Sequence, residues 1–207
     1  YDSNRYTLYG MLTRLGVEVI DMGVVRDDPA LLEQALMKSS ECADVILTSG
    51  GVSVGEADYM KMLLEKLGQV VFWKIAMKPG RPLAYGKVGN AHYFGLPGNP
   101  VSVMVTFYQF VREALLVLMG QPTPAAAPLL NAICTENIKK FTGRTEFQRG
   151  FLFVDSDGAW KVRPTDSQGS GILRSMSEAN CFIVLDESVG NIAASAIVQV
   201  QILEGII

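Results

Sequence analysis

The segment Asp44-Val-Ile-Leu-Thr-Ser-Gly-Gly-Val-Ser-Val-Gly-Glu-Ala-Asp58 constrains the fold of this chain most. A short apolar run, Val45 to Leu47, breaks at Gly50-Gly51 and is followed by an acid-bearing helical pattern. Strand, glycine turn and helix in that order form the building unit of an open α/β sheet, whose ligands sit at the carboxyl ends of the strands. Glycines there let backbone N–H groups approach an anion with no Cβ in the way, although such a turn also serves as a plain connection. Lys74-Ile-Ala-Met-Lys-Pro-Gly-Arg-Pro82 and Leu96-Pro-Gly-Asn-Pro-Val-Ser102 end apolar runs in the same manner. The three turns are expected to converge on one anionic ligand.

The spacing around these turns predicts the remaining elements. Asp2-Ser-Asn4 precedes a helical pattern carried by Leu8, Met11, Leu12 and Leu15, with Gly16 as its stop. A strand is expected over residues 17–20, then a helix from Asp28-Pro29 to about Ser40. A strand over 43–49, a helix over 59–67 and a strand over 70–76 follow. Residues 82–87 and 91–95, separated by Gly89-Asn90, read as a β-hairpin or as adjoining strands. A long helix over 100–119 begins with Asn99 as its cap and Pro100 at its first position.

The proline-rich connector over 121–128 then changes the periodicity to short alternating runs at 130–138, 146–154, 160–164, 181–185 and 196–203. The expected architecture is an α/β, mostly parallel three-layer domain over 1–120, a linker over 121–128, and a small all-β barrel or sandwich over 129–207. Because the chain opens on a helix at Tyr1, it reads as cut from a longer one, with a strand expected before it.

Composition removes several classes of function. The 207 residues are 49% hydrophobic and 19% charged, with a net charge of -3, a globular balance. No basic run with interleaved aromatics marks a nucleic-acid surface, so local lysines would have to meet an anionic ligand. No apolar stretch reaches about 18 residues and no signal segment is visible, so neither membrane nor secretion is expected and a cytoplasmic setting is. Cys42, Cys134 and Cys181 are odd in number, scattered and far from any histidine, and read as buried thiols rather than disulfides or zinc ligands.

Several side chains could carry chemistry, each with a structural alternative. Asp58 is either the N-cap of the helix over 59–67 or an acid at a phosphate-bound metal, which commonly takes only one or two protein carboxylates. Asp27 shares the ambiguity, since Asp28 already serves as cap. Lys74 and Lys78, if one strand reaches both, share a face, and are either solvated cations or a pair facing one oxyanion. Pro97, Gly98, Asn99 and Pro100 form either a plain helix start or a rigid wall beside exposed helix N–H groups. His92 sits within an alternating strand and reads as structural. Gln168-Gly-Ser-Gly171 is a flexible polar turn that gives no local reason to choose Ser170.

Taken together, Tyr1-Asp-Ser-Asn4, Arg26-Asp-Asp-Pro29, Thr48-Ser-Gly-Gly-Val-Ser-Val-Gly-Glu-Ala-Asp-Tyr59, Met77-Lys-Pro-Gly-Arg-Pro82 and Leu96-Pro-Gly-Asn-Pro-Val-Ser102 closely resemble the molybdopterin molybdenumtransferase (MoeA) family, which includes the gephyrin E domain. Gly143-Arg-Thr-Glu-Phe-Gln-Arg149 and Gln168-Gly-Ser170 extend the resemblance over almost the whole chain. It implies insertion of molybdate into adenylylated molybdopterin with release of AMP, aided by a divalent cation such as Mg²⁺. Asp27 and Asp58 would act at the metal and molybdate end, and Lys74 and Lys78 on oxyanion or phosphate. Gly50, Gly51 and Ser53 would hold the phosphate region, while Pro97, Asn99, Pro100 and Ser170 would line the pocket. The resemblance also implies a homodimer in the full-length protein, contact with a molybdopterin adenylyltransferase, and a preceding strand whose Ser/Thr-Gly-Asp-Glu turn completes the pocket. A non-catalytic scaffold of the gephyrin type and a pterin-phosphate binding module are the alternatives.

Overall fold

A computed structural model describes residues 2–51, 56–122 and 127–203, with the side chains of 56–59, 72 and 73 outside the description. The chain divides into one unit formed by residues 1–75 and 80–115 and a second formed by 76–79 and 116–207.

In the first unit, helix α1 (Ser3–Leu15) is capped by the Asp2 carboxylate, which accepts from the Arg5 N–H, and ends on Gly16 in the left-handed conformation. Residues 17–20, expected as a strand, alternate between half-buried and exposed but have no ladder among the described residues. An apolar alternation alone makes extended chain; pairing makes a strand. Helix α2 (Pro29–Cys42) starts as expected, with Asp28 accepting from the Ala30 and Leu31 N–H groups. Strand β1 (Val45–Ser49), helix α3 (Glu56–Leu67) and strand β2 (Gly68–Lys74) follow. Helix α3 thus includes Asp58 as its third residue, where the sequence suggested a helix beginning after it.

After β2 the chain leaves for the second unit as strand β3 (Met77–Lys78) and returns as β4 (Pro82–Val88) and β5 (Ala91–Leu96). The four strands of the first sheet lie in the order β1-β5-β4-β2. The α/β class stands as expected, while the ladder directions refine it: β1 and β5 are parallel, and β5–β4 and β4–β2 are antiparallel. The turn at Gly89-Asn90 makes the first antiparallel pair, because a two-residue connection can only reverse the chain. Leu36 of α2, Met60, Leu63 and Leu64 of α3, and Ile46, Ala84, Val88, Ala91 and Tyr93 of the sheet form one core.

From β5 the chain enters helix α4 (Pro100–Thr106), widens into a π-helical turn (Phe107–Val111) and continues as α5 (Arg112–Leu118). Helix α4 is buried from Val101 to Thr106 and packs on α1 and β5. The combined helix, 19 residues with mean hydropathy 1.5, is long and apolar enough to cross a membrane by length and composition, which the sequence count of apolar runs missed. Half of its most apolar stretch is buried within the protein, as in a core helix.

The second unit is a small closed barrel. Strands β6 (Leu129–Cys134), β7 (Thr145–Val154), β8 (Trp160–Pro164), β9 (Cys181–Leu185) and β10 (Ile197–Ile202) run in the order β7-β8-β6-β10-β9, and β9 pairs back with β7. Closure removes free edges from the ring, and β3 is added alongside β7 in parallel. Cys134, Leu152, Val162, Cys181, Ile183 and Val200 are among the residues that fill the interior. One short helix, α6 (Arg174–Glu178), was not foreseen; it buries Ser175 and Met176 against the barrel strand β7 and its loops.

Of the three cysteines expected to be buried, Cys134 and Cys181 are, whereas Cys42 is exposed on the last turn of α2. Burial pushes the Cys181 thiol up to about 12 and raises that of Cys134, which keeps both protonated and inert.

Candidate functional site

Two of the glycine turns meet at the carboxyl ends of the parallel pair β1 and β5. Strand β1 ends at Ser49, and Gly50 and Gly51 follow at φ +92° and +70°, a region that a side chain with a Cβ rarely occupies. The Gly50 N–H donates to the Leu96 carbonyl at 3.1 Å, so the first turn is fastened to the end of β5. A Cβ placed on Gly98 would lie 3.9 Å from the Gly50 Cα, so the second turn runs directly beside the first.

Asn4, in the first turn of α1, ties the two turns together. Its Nδ2 donates to the Ser49 Oγ at 2.9 Å and to the Gly98 carbonyl at 2.7 Å, while the Ser49 hydroxyl donates to the Pro97 carbonyl at 3.2 Å. The carbonyl acceptor at Gly98 requires the amide nitrogen to face it, which fixes the orientation of the amide. The Asn4 Oδ1 is then buried with no hydrogen-bond partner among the described residues.

Pro97 is buried, Pro100 half-buried and Asn99 exposed. Asn99 occupies the N-cap position of α4 in extended conformation, but its side chain makes no capping bond. The expected cap is therefore positional only, and the amide is not committed to the helix it precedes. Ser53 lies outside the described residues, as does the side chain of Asp58. As third residue of α3, Asp58 sits in the first helical turn, where a carboxylate is favoured by the helix dipole.

Asp27 is exposed and has no partner among the described residues, in contrast to its neighbour Asp28, which caps α2. The segment leading to it is anchored further back: Asp21 accepts from the Arg5 guanidinium at 2.9 Å and from the Gly23 N–H at 2.9 Å. The Arg5 contact and the Gly23 bond together lower the Asp21 carboxyl below its ordinary range. No cluster of three metal-ligating side chains exists among the described residues. A phosphate-bound Mg²⁺ asks for less, one or two protein carboxylates, and the uncommitted carboxylate of Asp27 fits that requirement.

Beneath the site, the Tyr93 hydroxyl and the Thr48 Oγ1 are 2.7 Å apart, joining β5 to the carboxyl end of β1. Burial pushes the Tyr93 hydroxyl up to about 12, against the opposing pull of that hydrogen bond. His92 has a structural partner, the Tyr85 hydroxyl at 2.9 Å from its Nδ1.

Lys74 and Lys78 do not share a strand. Strand β2 ends at Lys74, the Ile75 N–H turns back to the Arg81 carbonyl at 3.0 Å, and Lys78 belongs to β3 of the second unit. Period-two reasoning fails there because the chain bends between them. Lys74 is exposed. Lys78 forms an ion pair with Glu146 at 3.3 Å and lines an open cleft of about 450 Å³ with Lys139, Gln148, Thr165, Asp166 and Gln168 among others.

Ser170 is half-buried in a loop held by a residue to which the sequence assigned no role. Arg149 is 1% exposed; its Nη2 donates to the Ser167 and Gly169 carbonyls at 3.1 and 3.2 Å, and its Nε to the Ser175 Oγ at 3.1 Å. Gln168 accepts from the Arg149 N–H at 2.9 Å and donates back to the Arg149 carbonyl at 2.9 Å. Burial lowers the guanidinium to about 10, which leaves it charged at neutral pH. An arginine among apolar strand residues was the only sequence signal, and its partners lie 18 to 26 positions away.

Paired glycine turns at the carboxyl ends of the parallel strands of an α/β sheet, followed by a small barrel, define a two-part α/β-and-barrel class of protein. Residues 1–117 match the family described as a probable molybdopterin binding domain, and residues 131–203 match the MoeA C-terminal region, domain IV. The chain belongs to the MoeA family of molybdopterin molybdenumtransferases.

It is 48% identical to a molybdopterin molybdenumtransferase of Haemophilus influenzae, over 97% of this chain and 50% of that protein. It is 34% identical to a gephyrin of Dictyostelium discoideum, over 86% of this chain and 28% of that protein. Among solved structures, a molybdopterin biosynthesis MoeA protein from a Pyrococcus superimposes with a TM-score of 0.81 at 30% identity, covering 99% of this chain and 49% of that one. The chain thus spans about half the length of the molybdenumtransferase relative from Haemophilus.

Proposed function

We propose that this chain carries the pterin-holding part of a molybdopterin molybdenumtransferase, which inserts molybdate into adenylylated molybdopterin and releases AMP. The observation that carries this reading is the pair of turns that Asn4 ties together at the carboxyl ends of the parallel strands β1 and β5. The Gly51 N–H and the hydroxyl of Ser53 take the phosphate region, while Gly50, whose own N–H is spent on the Leu96 carbonyl, lets the turn come close to it with no Cβ in the way. The N-terminus of α4 adds its partial positive charge, and Pro97, Asn99 and Pro100 form the rigid wall beside it. Cleavage of a phosphoanhydride-type link needs charge neutralisation and positioning more than a protein nucleophile, and no activated nucleophile is required of these residues.

Lys74 draws the anionic substrate toward the first unit, and Lys78 and Ser170 face oxyanion in the second. Asp27 and Asp58 would hold Mg²⁺, which supplies neutralisation of phosphate charge when bound. The full-length protein is proposed to act as a homodimer in the cytoplasm and to receive its substrate from a molybdopterin adenylyltransferase.

Molybdate-dependent release of AMP from adenylylated molybdopterin by the full-length protein tests this reading. Release that requires molybdate supports it. Tight pterin binding with no release at any molybdate concentration would instead favour a binding module or a scaffold.

A further inference from the structure

Glu146 is a carboxylate with only 3% of its side chain exposed, set opposite Lys78 in the parallel register of β3 and β7. The Lys78 Nζ lies 3.3 and 3.4 Å from its two oxygens. Gln148, two residues along the same strand and on the same side of it, donates from Nε2 to the Glu146 Oε2 at 3.0 Å and to the Lys139 carbonyl at 3.4 Å. Glu146 is therefore held in place from below, while Lys78 remains 49% exposed at the wall of the cleft that Gln148 and Gln168 also line.

We propose that Glu146 is the positioning residue for Lys78 in oxyanion binding, resting on the reading of Lys78 as an anion-facing group. Lysine is a point charge on a flexible four-carbon stem, and its freedom must be lost when an anion binds. A buried carboxylate directly beside the ammonium removes that freedom beforehand. Its contacts are longer than the 2.7–2.9 Å of the strongest N⁺–H···O⁻ bonds, and an ammonium carries three donors, so Lys78 keeps donor capacity for an arriving oxyanion. Glu146 itself, buried and negatively charged, does not touch the anion.

The test is calorimetric titration of molybdate into the full natural chain and into Glu146→Gln, Lys78→Met and the double variant, each checked for folding by thermal melting. Lys78→Met is expected to weaken molybdate binding about tenfold, Glu146→Gln about threefold or more, and the double variant no further than Lys78→Met alone, since the effect of Glu146 passes through Lys78. Unchanged or tighter binding in Glu146→Gln, or equal weakening in both backgrounds, would overturn the positioning role while leaving that of Lys78 intact. Unchanged binding in Lys78→Met would remove the anion-facing reading and the proposal with it. If Glu146→Gln does not fold, Gln148→Met loosens the carboxylate without deleting it, and the same loss of effect in the Lys78→Met background is required.

Discussion

Asn4 and Gly98 stand 94 residues apart in the chain and are joined by a 2.7 Å hydrogen bond, so the first helix sets the spacing of the two glycine turns. Replacing Asn4 by alanine removes that bond and the one to Ser49, and is expected to cost about 1–3 kcal/mol. Asn4→Asp should cost more, because a carboxylate cannot donate to the Gly98 carbonyl. Urea denaturation reads the stability, and titration with molybdopterin should show weaker binding in both variants.

Asp58 in the first turn of α3 contributes only about 0.3–1 kcal/mol through the helix dipole. Asp58→Ala should therefore abolish most molybdate-dependent turnover with little change in melting temperature. Normal turnover with a lowered melting temperature would reduce Asp58 to a helix-start residue. Asp27→Ala, which removes a carboxylate with no partner among the described residues, should leave stability within about 0.5 kcal/mol while raising the Mg²⁺ concentration needed.

Arg149→Met should destabilise the barrel by about 2–4 kcal/mol, since the carbonyls of Ser167 and Gly169 lose their donors. Arg149→Lys keeps the charge but not the planar fork, and should recover only part of the loss. Hydrogen exchange will locate the damage: protection is expected to fall around residues 165–172 before it falls in β9 and β10.

The raised hydroxyl pKa of Tyr93 has a definite sign. The folded state holds the proton up to about 12, whereas the unfolded state releases it near 10, so the stabilisation is fully present below pH 10 and is lost between those values. The loss should reach roughly 2 kcal/mol. In Tyr93→Phe the decline above pH 10 should be shallower than in the natural protein, on top of a loss of about 1 kcal/mol at neutral pH from the missing bond to Thr48. Chemical denaturation between pH 8 and about 11.5 compares the two.

The parts of the site legible from sequence are those that local chemistry marks. Gly50-Gly51 and Pro97-Gly98-Asn99-Pro100 punctuate the chain, and Asp28-Pro29 announces a helix start. Asn4, Glu146 and Arg149 stand within the segments that carry the family resemblance, but their structural roles were not legible, because their contacts cross long sequence separations: 45 and 94 residues for Asn4, 68 for Glu146. The shared face assigned to Lys74 and Lys78 failed for the opposite reason. An intact period-two pattern continues on paper through Ile75, where the chain has already turned. Residues 17–20 likewise carry a strand pattern without a ladder among the described residues, since no periodicity reports whether a neighbour offers its N–H and C=O groups.

The excursion of residues 76–79 changes what it means to divide this chain. The backbone passes between the two units three times, at 75/76, 79/80 and 115/116, rather than once at the proline-rich connector. A protease acting only on that connector would leave β3 covalently with the first unit although its ladder partner, β7, is in the second. Expressing residues 129–207 alone would likewise deliver a barrel without Lys78 or the strand that bears it. Dissection of the protein into independent modules therefore calls for a circularly permuted or grafted β3, not a simple truncation.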